Sequence, residues 1–171
     1  MLEVEVKLPV KDLDAVRATL ERLGARHIDD ARQADTYFAH PQRDFRETDE
    51  ALRVRETPAG REVTYKGPRH DAAAKIRTEV NVAFDGDLEA LLVPLSFAPV
   101  ARVLKERSSW MLDGAAVALD RVADIGTFVE VEVVSDEPSS AEAKVQSVVA
   151  ALGLDGIEPE RRSYLELQAS S

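Results

Sequence analysis

The chain has 171 residues, enough for one domain with a sizeable core, and its 44% hydrophobic and 32% charged residues are globular composition. Lys+Arg 22 against Asp+Glu 32 gives a net charge of −10, which argues against the basic footprint needed to bind nucleic acid or an anionic membrane; neither partner is expected. The absence of cysteine excludes a disulfide framework, a thiolate metal site and a Cys nucleophile; with no apolar signal-peptide core and no run near the roughly 20 apolar residues of a membrane span, the expected location is cytoplasmic.

The first strand, Glu3-Val4-Glu5-Val6-Lys7, puts Glu3, Glu5 and Lys7 on one face and Val4, Val6 and Leu8 on the other, because strand side chains alternate. Pro9 and Asp12 mark a turn and an N-cap. Leu13, Val16, Leu20 and Leu23 then recur at helical spacing up to Gly24 as the stop. Residues 25–40 read as extended, and Gln42 to Glu50 as a charged loop. Ala51 to Arg55 alternates apolar and basic, Pro58-Ala59-Gly60 turns the chain, and Arg61 to Lys66 returns. Residues 69–74 read as a polar flexible loop. Ile76 to Val82 is a further strand with Arg77, Glu79 and Asn81 together. Asp85 to Ser96 reads as a short helix with Leu88, Leu91, Leu92 and Leu95 as its apolar face.

Pro99 to Trp110 carries Val103, Lys105 and Arg107 on one face. Asp113-Gly114 is a two-residue hairpin signal leading into Ala115–Val122, which holds Asp120. Thr127 to Val134 puts Phe128, Glu130 and Glu132 on one face. A helix capped by Ser139 or Ser140 runs to about Leu152 before Gly153, and Ser163 to Leu167 reads as one or two helical turns. No linker or low-complexity tract divides the chain, so residues 1–171 are expected to form a single domain.

The charged faces collect the cations Lys7, Arg53, Arg55, Lys66, Arg77, Lys105 and Arg107, and the carboxylates Glu3, Glu5, Glu79, Asp120, Glu130 and Glu132. Their opposite faces are Val, Leu and Ile, which the amphipathic helices can cover. The pattern predicts an α+β protein built on a closed antiparallel β-barrel with a charged lumen and flanking helices. Charges inside a lumen are costly unless paired or bound to something. Glu-x-Glu presents two carboxylates on one strand face, suited to a hard cation; two such pairs facing across a barrel could hold one or two Mg²⁺ or Mn²⁺ ions. Arg-x-Arg offers guanidinium forks that match phosphate. Together they point to a metal–phosphate ligand. His27, His40 and His70 lack metal-ligand spacing, Ser108-Ser109 lacks a nucleophile-elbow context, and no GxGxxG or P-loop is present. Tyr37, Phe38, Tyr65 and Trp110 read as core or rim packing.

Glu3-Val4-Glu5-Val6-Lys7 resembles the E-x-E-x-K signature of the CYTH family, the triphosphate tunnel metalloenzymes, and the chain is most similar to its class IV adenylate cyclase-like branch. His40 to Phe45, Thr48 to Arg55, Thr64 to Pro68, Lys75 to Glu79, Leu119 to Val122, then Gly126, Phe128, Glu130 and Glu132, and the closing Ser163 to Leu167 extend the resemblance over almost the whole chain. It implies an eight-stranded antiparallel tunnel. It assigns Glu3, Glu5, Asp120, Glu130 and Glu132 to metal, and Lys7, Arg53, Arg55, Lys66, Arg77, Lys105 and Arg107 to the triphosphate. Glu5, Lys7, Asp120 and Glu132 are the catalytic candidates. Glu79 is expected to orient a neighbouring base, and Arg121 to turn outward.

The family's members cyclise ATP or hydrolyse thiamine triphosphate or inorganic tripolyphosphate. The resemblance therefore implies an adenylate cyclase first, a triphosphatase as the alternative, and a non-catalytic triphosphate binder third. A homodimer is a family-level expectation.

Overall fold

The computed structural model describes residues 2–68 and 77–170; the expected loop at 69–74, and Lys75, Ile76 and His70, lie outside them. Eight strands form one antiparallel sheet in the order β1-β8-β7-β6-β2-β3-β4-β5. The strands are β1 (Leu2–Pro9), β2 (Arg26–Ala39), β3 (Ala51–Thr57), β4 (Gly60–Lys66), β5 (Glu79–Phe84), β6 (Ala98–Leu112), β7 (Ala115–Val122) and β8 (Gly126–Ser135). The helices are α1 (Leu13–Arg22), α2 (Glu89–Leu92), α3 (Pro138–Ala151) and α4 (Tyr164–Ala169). None is long and apolar enough to cross a membrane, among the described residues.

The expected closure is not made by a backbone ladder. β1 and β5 are the margins of the sheet, and no pairing between them occurs among the described residues. Glu3 of β1 and Glu79 of β5 come near enough for each to shift the other's carboxyl. The architecture is a curled sheet around a charged interior.

The outer face of β1, β8, β7 and the end of β6 carries the main core. Val4, Leu8, Trp110, Leu112, Val117, Leu119, Val129 and Val131 pack with Val16 and Leu20 of α1 and Ala141, Val145, Val148 and Val149 of α3. Burial of such side chains stabilises by about 1.5–3 kcal/mol each. Asp12 caps α1, accepting from Ala15 N at 3.0 Å. At the β6–β7 hairpin both Asp113 (φ 50) and Gly114 (φ 81) adopt the left-handed region that a type I′ turn requires.

Two helix readings change. α3 starts at Pro138 with Glu137 as N-cap, since proline's fixed φ suits the first helical turn better than Ser139 or Ser140 as caps. The helix expected over Asp85–Ser96 shrinks to the four residues of α2, with Leu91 and Leu95 each 57% exposed. Pro94 cannot continue the helix, and Ser96 turns left-handed (φ 68).

Candidate active site

Alternation and register together bring the charged residues to one surface. Glu5 stands opposite Glu132 and Lys7 opposite Glu130 across β1 and β8, and Arg107 stands opposite Asp120 across β6 and β7. On the far side Arg53 faces Thr64, Arg55 faces Glu62, and Lys66 faces Glu79. This inner face lines a cavity of about 1670 Å³ that takes in Glu3, Glu5, Lys7, Arg53, Arg55, Lys66, Arg77, Lys105, Arg107, Glu130 and Glu132. Arg121 is exposed on the outer face.

The acidic residues divide into two groups. Glu3, Glu5 and Glu132 place one carboxylate oxygen each within 4.8 Å of one another. β1 and β8 are neighbours, so the two Glu-x-Glu pairs lie side by side rather than facing across the interior. Like charges directly opposite on adjacent strands repel. Burial, then Glu79 and Glu132, push the Glu3 carboxyl up to about 8 despite nearby Lys66. Burial and Glu5 likewise raise Glu132. Three crowded, partly buried hard oxygen donors are the set that a divalent Mg²⁺ or Mn²⁺ ion would fit.

Asp120 and Glu130 are engaged by bases instead. Asp120 is fully buried and does not line the cavity. It accepts a two-pronged contact from Arg107 at 2.7 and 2.5 Å, has Lys105 Nζ at 3.6 Å, and accepts from the Tyr164 hydroxyl at 2.8 Å. Glu130 accepts from the same Arg107 and has Lys7 Nζ at 3.8 Å. These two carboxylates hold Arg107 charged well above its ordinary range although burial works against it. Burial and the Arg107 charge push Lys105 down to about 7.

Arg55, Arg53 and Lys66 are also held by partners. Asp35 of β2, 1% exposed, accepts two hydrogen bonds from Arg55, both at 2.7 Å. Arg53 donates to Thr64 at 2.9 Å, and Thr64 donates to Asn81 at 2.7 Å. The Arg53 Nε is buried with no hydrogen-bond partner among the described residues, which suits a cavity built to receive an anion. Lys66 and Glu79 meet at 2.7 Å, so Glu79 does orient a neighbouring base. Burial opposes ionisation of Glu79, yet its contact with Glu3 and the Lys66 charge carry its pKa down to about 2.

Sequence reading passed over three contributors. Asp35 shares the inner face with Tyr37, and the alternation along Asp35-Thr36-Tyr37 was the available signal. The loop from His40 to Glu50 lines the cavity mouth, where Glu50 accepts from Tyr65 at 2.5 Å and from Thr48 at 2.6 Å. Tyr164 of α4 reaches the interior from 44 residues beyond Asp120, a placement that no local pattern shows. It joins Val103, Val122 and Phe128 in a small apolar cluster within the otherwise charged interior.

The chain resembles known proteins over nearly its full length. A protein of Methanocaldococcus jannaschii, provisionally named an adenylate cyclase, is 35% identical over 98% of this chain and 99% of its own. Adenylate cyclase CyaB of Aeromonas hydrophila is 27% identical over 96% of this chain and 87% of its own. Among solved structures, the PH1819 protein of Pyrococcus horikoshii superposes with a TM-score of 0.83 at 34% identity, covering 98% of each chain. The CYTH domain model matches residues 1–164, and this chain, with its curled eight-stranded sheet and inward charges, belongs to the CYTH domain family.

Proposed function

We propose that this protein is a metal-dependent enzyme acting on a triphosphate, and that it is an adenylate cyclase of the class IV type, converting ATP to cyclic AMP and pyrophosphate. The observation that carries the reading is the juxtaposition, in one cavity, of the Glu3/Glu5/Glu132 trio with the bases Lys7, Arg53, Arg55, Lys66, Arg77, Lys105 and Arg107. The adenylate cyclase names of two relatives support the choice of reaction.

Glu3, Glu5 and Glu132 would hold Mg²⁺ or Mn²⁺, which supplies Lewis acidity and charge neutralisation at the phosphates. Arg53, Arg55 and Arg107 present fixed guanidinium groups to phosphate oxygens, oriented in advance by Thr64, Asp35 and Asp120. Lys7, Lys66, Arg77 and Lys105 add positive charge where the leaving pyrophosphate gathers its negative charge. Asp120 and Glu130 act on the bases rather than on the metal, because Arg107, Lys105 and Lys7 already occupy them.

A triphosphatase is the second reading. It draws on the same inner face, whose charged groups address phosphate oxygens common to ATP, tripolyphosphate and thiamine triphosphate and so do not distinguish the two reactions. The test is product identification after incubation with each of the three substrates and Mg²⁺ or Mn²⁺. Cyclic AMP with pyrophosphate establishes the cyclase; orthophosphate without cyclic AMP refutes it and assigns the second reading.

A further inference from the structure

The segment Ser163 to Leu167 enters the charged interior through Tyr164, whose hydroxyl is only one of its contacts there. In the structure it comes within reach of two lysines of that interior. The Tyr164 ring lies under Lys7 Nζ, 4.2 Å from its centroid, and under Lys105 Nζ at 5.0 Å. Its hydroxyl donates to Asp120 Oδ2 at 2.8 Å, and Asp120 in turn grips Arg107 and Lys105. The strand is tied to the same segment: Lys7 Nζ donates to Arg162 O at 2.9 Å, and Glu160 N donates to Lys7 O at 2.8 Å. Tyr164 itself is 5% exposed, seated against Phe128 at a ring separation of 5.3 Å.

The arrangement solves a physical problem. Lys7 and Lys105 are each 3% exposed at the side chain, so an ammonium at either position loses hydration, and Arg107 further disfavours the charged form of Lys105. An aromatic face attracts an ammonium most strongly where water is excluded. One ring serving two lysines fixes both against a common surface beside the cavity that Lys7 and Lys105 line. The hydroxyl, held protonated by burial and by the charges of Glu130 and Asp120, keeps Asp120 turned toward Arg107.

We propose that Tyr164 is a positioning residue for the triphosphate: its ring pre-orients Lys7 and Lys105, and its hydroxyl fixes the Asp120–Arg107 pair. The inference rests on the reading of the cavity as a triphosphate site. Tyr164 touches no reacting atom. It lowers the ordering cost that a flexible lysine otherwise meets on binding an anion.

The test is calorimetric titration of inorganic tripolyphosphate, without metal, into the native chain and three variants, alongside turnover with Mn²⁺. Tyr164→Phe keeps the ring and should weaken binding only about threefold, whereas Tyr164→Leu loses both lysine contacts and should weaken it about thirtyfold or more. In turnover the loss should fall on KM, with kcat changed by less than about threefold. Gln168→Ala separates positioning from mere docking of α4. Gln168 also lines the cavity, but its side chain donates to Arg102 O at 3.0 Å and contacts neither lysine, so the variant's affinity should stay within about twofold of native. Equal binding by native protein and Tyr164→Leu overturns this inference alone. So does equal weakening by Gln168→Ala and Tyr164→Leu. Absence of tripolyphosphate binding by the native chain overturns it together with the triphosphate reading.

Discussion

Replacing Asp120 with Asn removes one charge and almost no volume, and it separates two roles for this residue. If Asp120 were a metal ligand, its loss would fall on metal affinity. The structure instead puts it fully buried under Arg107, Lys105 and Tyr164, away from the cavity lining. Removing one partner of a buried ion pair costs about 3–5 kcal/mol, because the other charge stays behind without compensation. Glu130 still contacts Arg107, which favours the lower end of that range. At about 2.1 cal/mol/K of unfolding entropy per residue, 171 residues convert the range into a Tm fall of about 8–14 °C. Differential scanning calorimetry reads that fall, and Mn²⁺ titration of the folded variant reads the affinity. Asp120→Asn should lose stability while keeping Mn²⁺ affinity within about threefold, since it leaves the Glu3/Glu5/Glu132 trio intact. A variant with native Tm and abolished Mn²⁺ binding would refute the reasoning and return Asp120 to the metal.

The trio should show the reverse behaviour. Glu132→Gln relieves the repulsion with Glu5 and should leave Tm unchanged or raised, while weakening Mn²⁺ binding by about 10–100-fold on titration. Metal binding should also release protons. Glu3, held up to about 8, stays protonated below that pH and must ionise to become a ligand, so apparent Mn²⁺ affinity should climb as pH rises toward 8; a flat affinity from pH 6 to 8 contradicts the crowding. Lys105 has the opposite sign toward anions. Its amine, lowered to about 7 from 10.5, is largely neutral at pH 8 and takes up a proton when phosphate binds; folding stability should correspondingly rise between those two values, where the unfolded chain binds more protons. Titrating tripolyphosphate at pH 8 in two buffers of different ionisation enthalpy, with Lys105→Arg as the permanently charged reference, measures the uptake. In the outer core, Leu8→Ala should cost about 2–5 kcal/mol by urea denaturation, because Leu8 is 1% exposed between sheet and helices.

The inward direction of the charges was legible in the sequence for a simple reason. Alternation with a period of two is a local property, so Glu3, Glu5 and Lys7 had to share a face, and so did Arg53 with Arg55 and Lys105 with Arg107. The hairpin at Asp113-Gly114 was equally local, since only residues tolerant of left-handed backbone suit a type I′ turn. Periodicity also gave α1, but it failed at α2, where leucines at helical spacing were cut short by Pro94.

What the chain alone determined is therefore which residues share a face and what chemistry that face can offer: hard oxygen donors and phosphate-matching cations in one protein. The tertiary structure decided which partners they have. Strand order paired Glu5 with Glu132 on adjacent strands instead of across the interior, curling brought Glu3 to Glu79, and packing of α4 put Tyr164 beneath Lys7 and Lys105. It also divided five carboxylates of similar sequence context into three that crowd together and two that hold bases. Pairing across strands depends on register and sheet order, which arise from the whole fold; no window of sequence contains them.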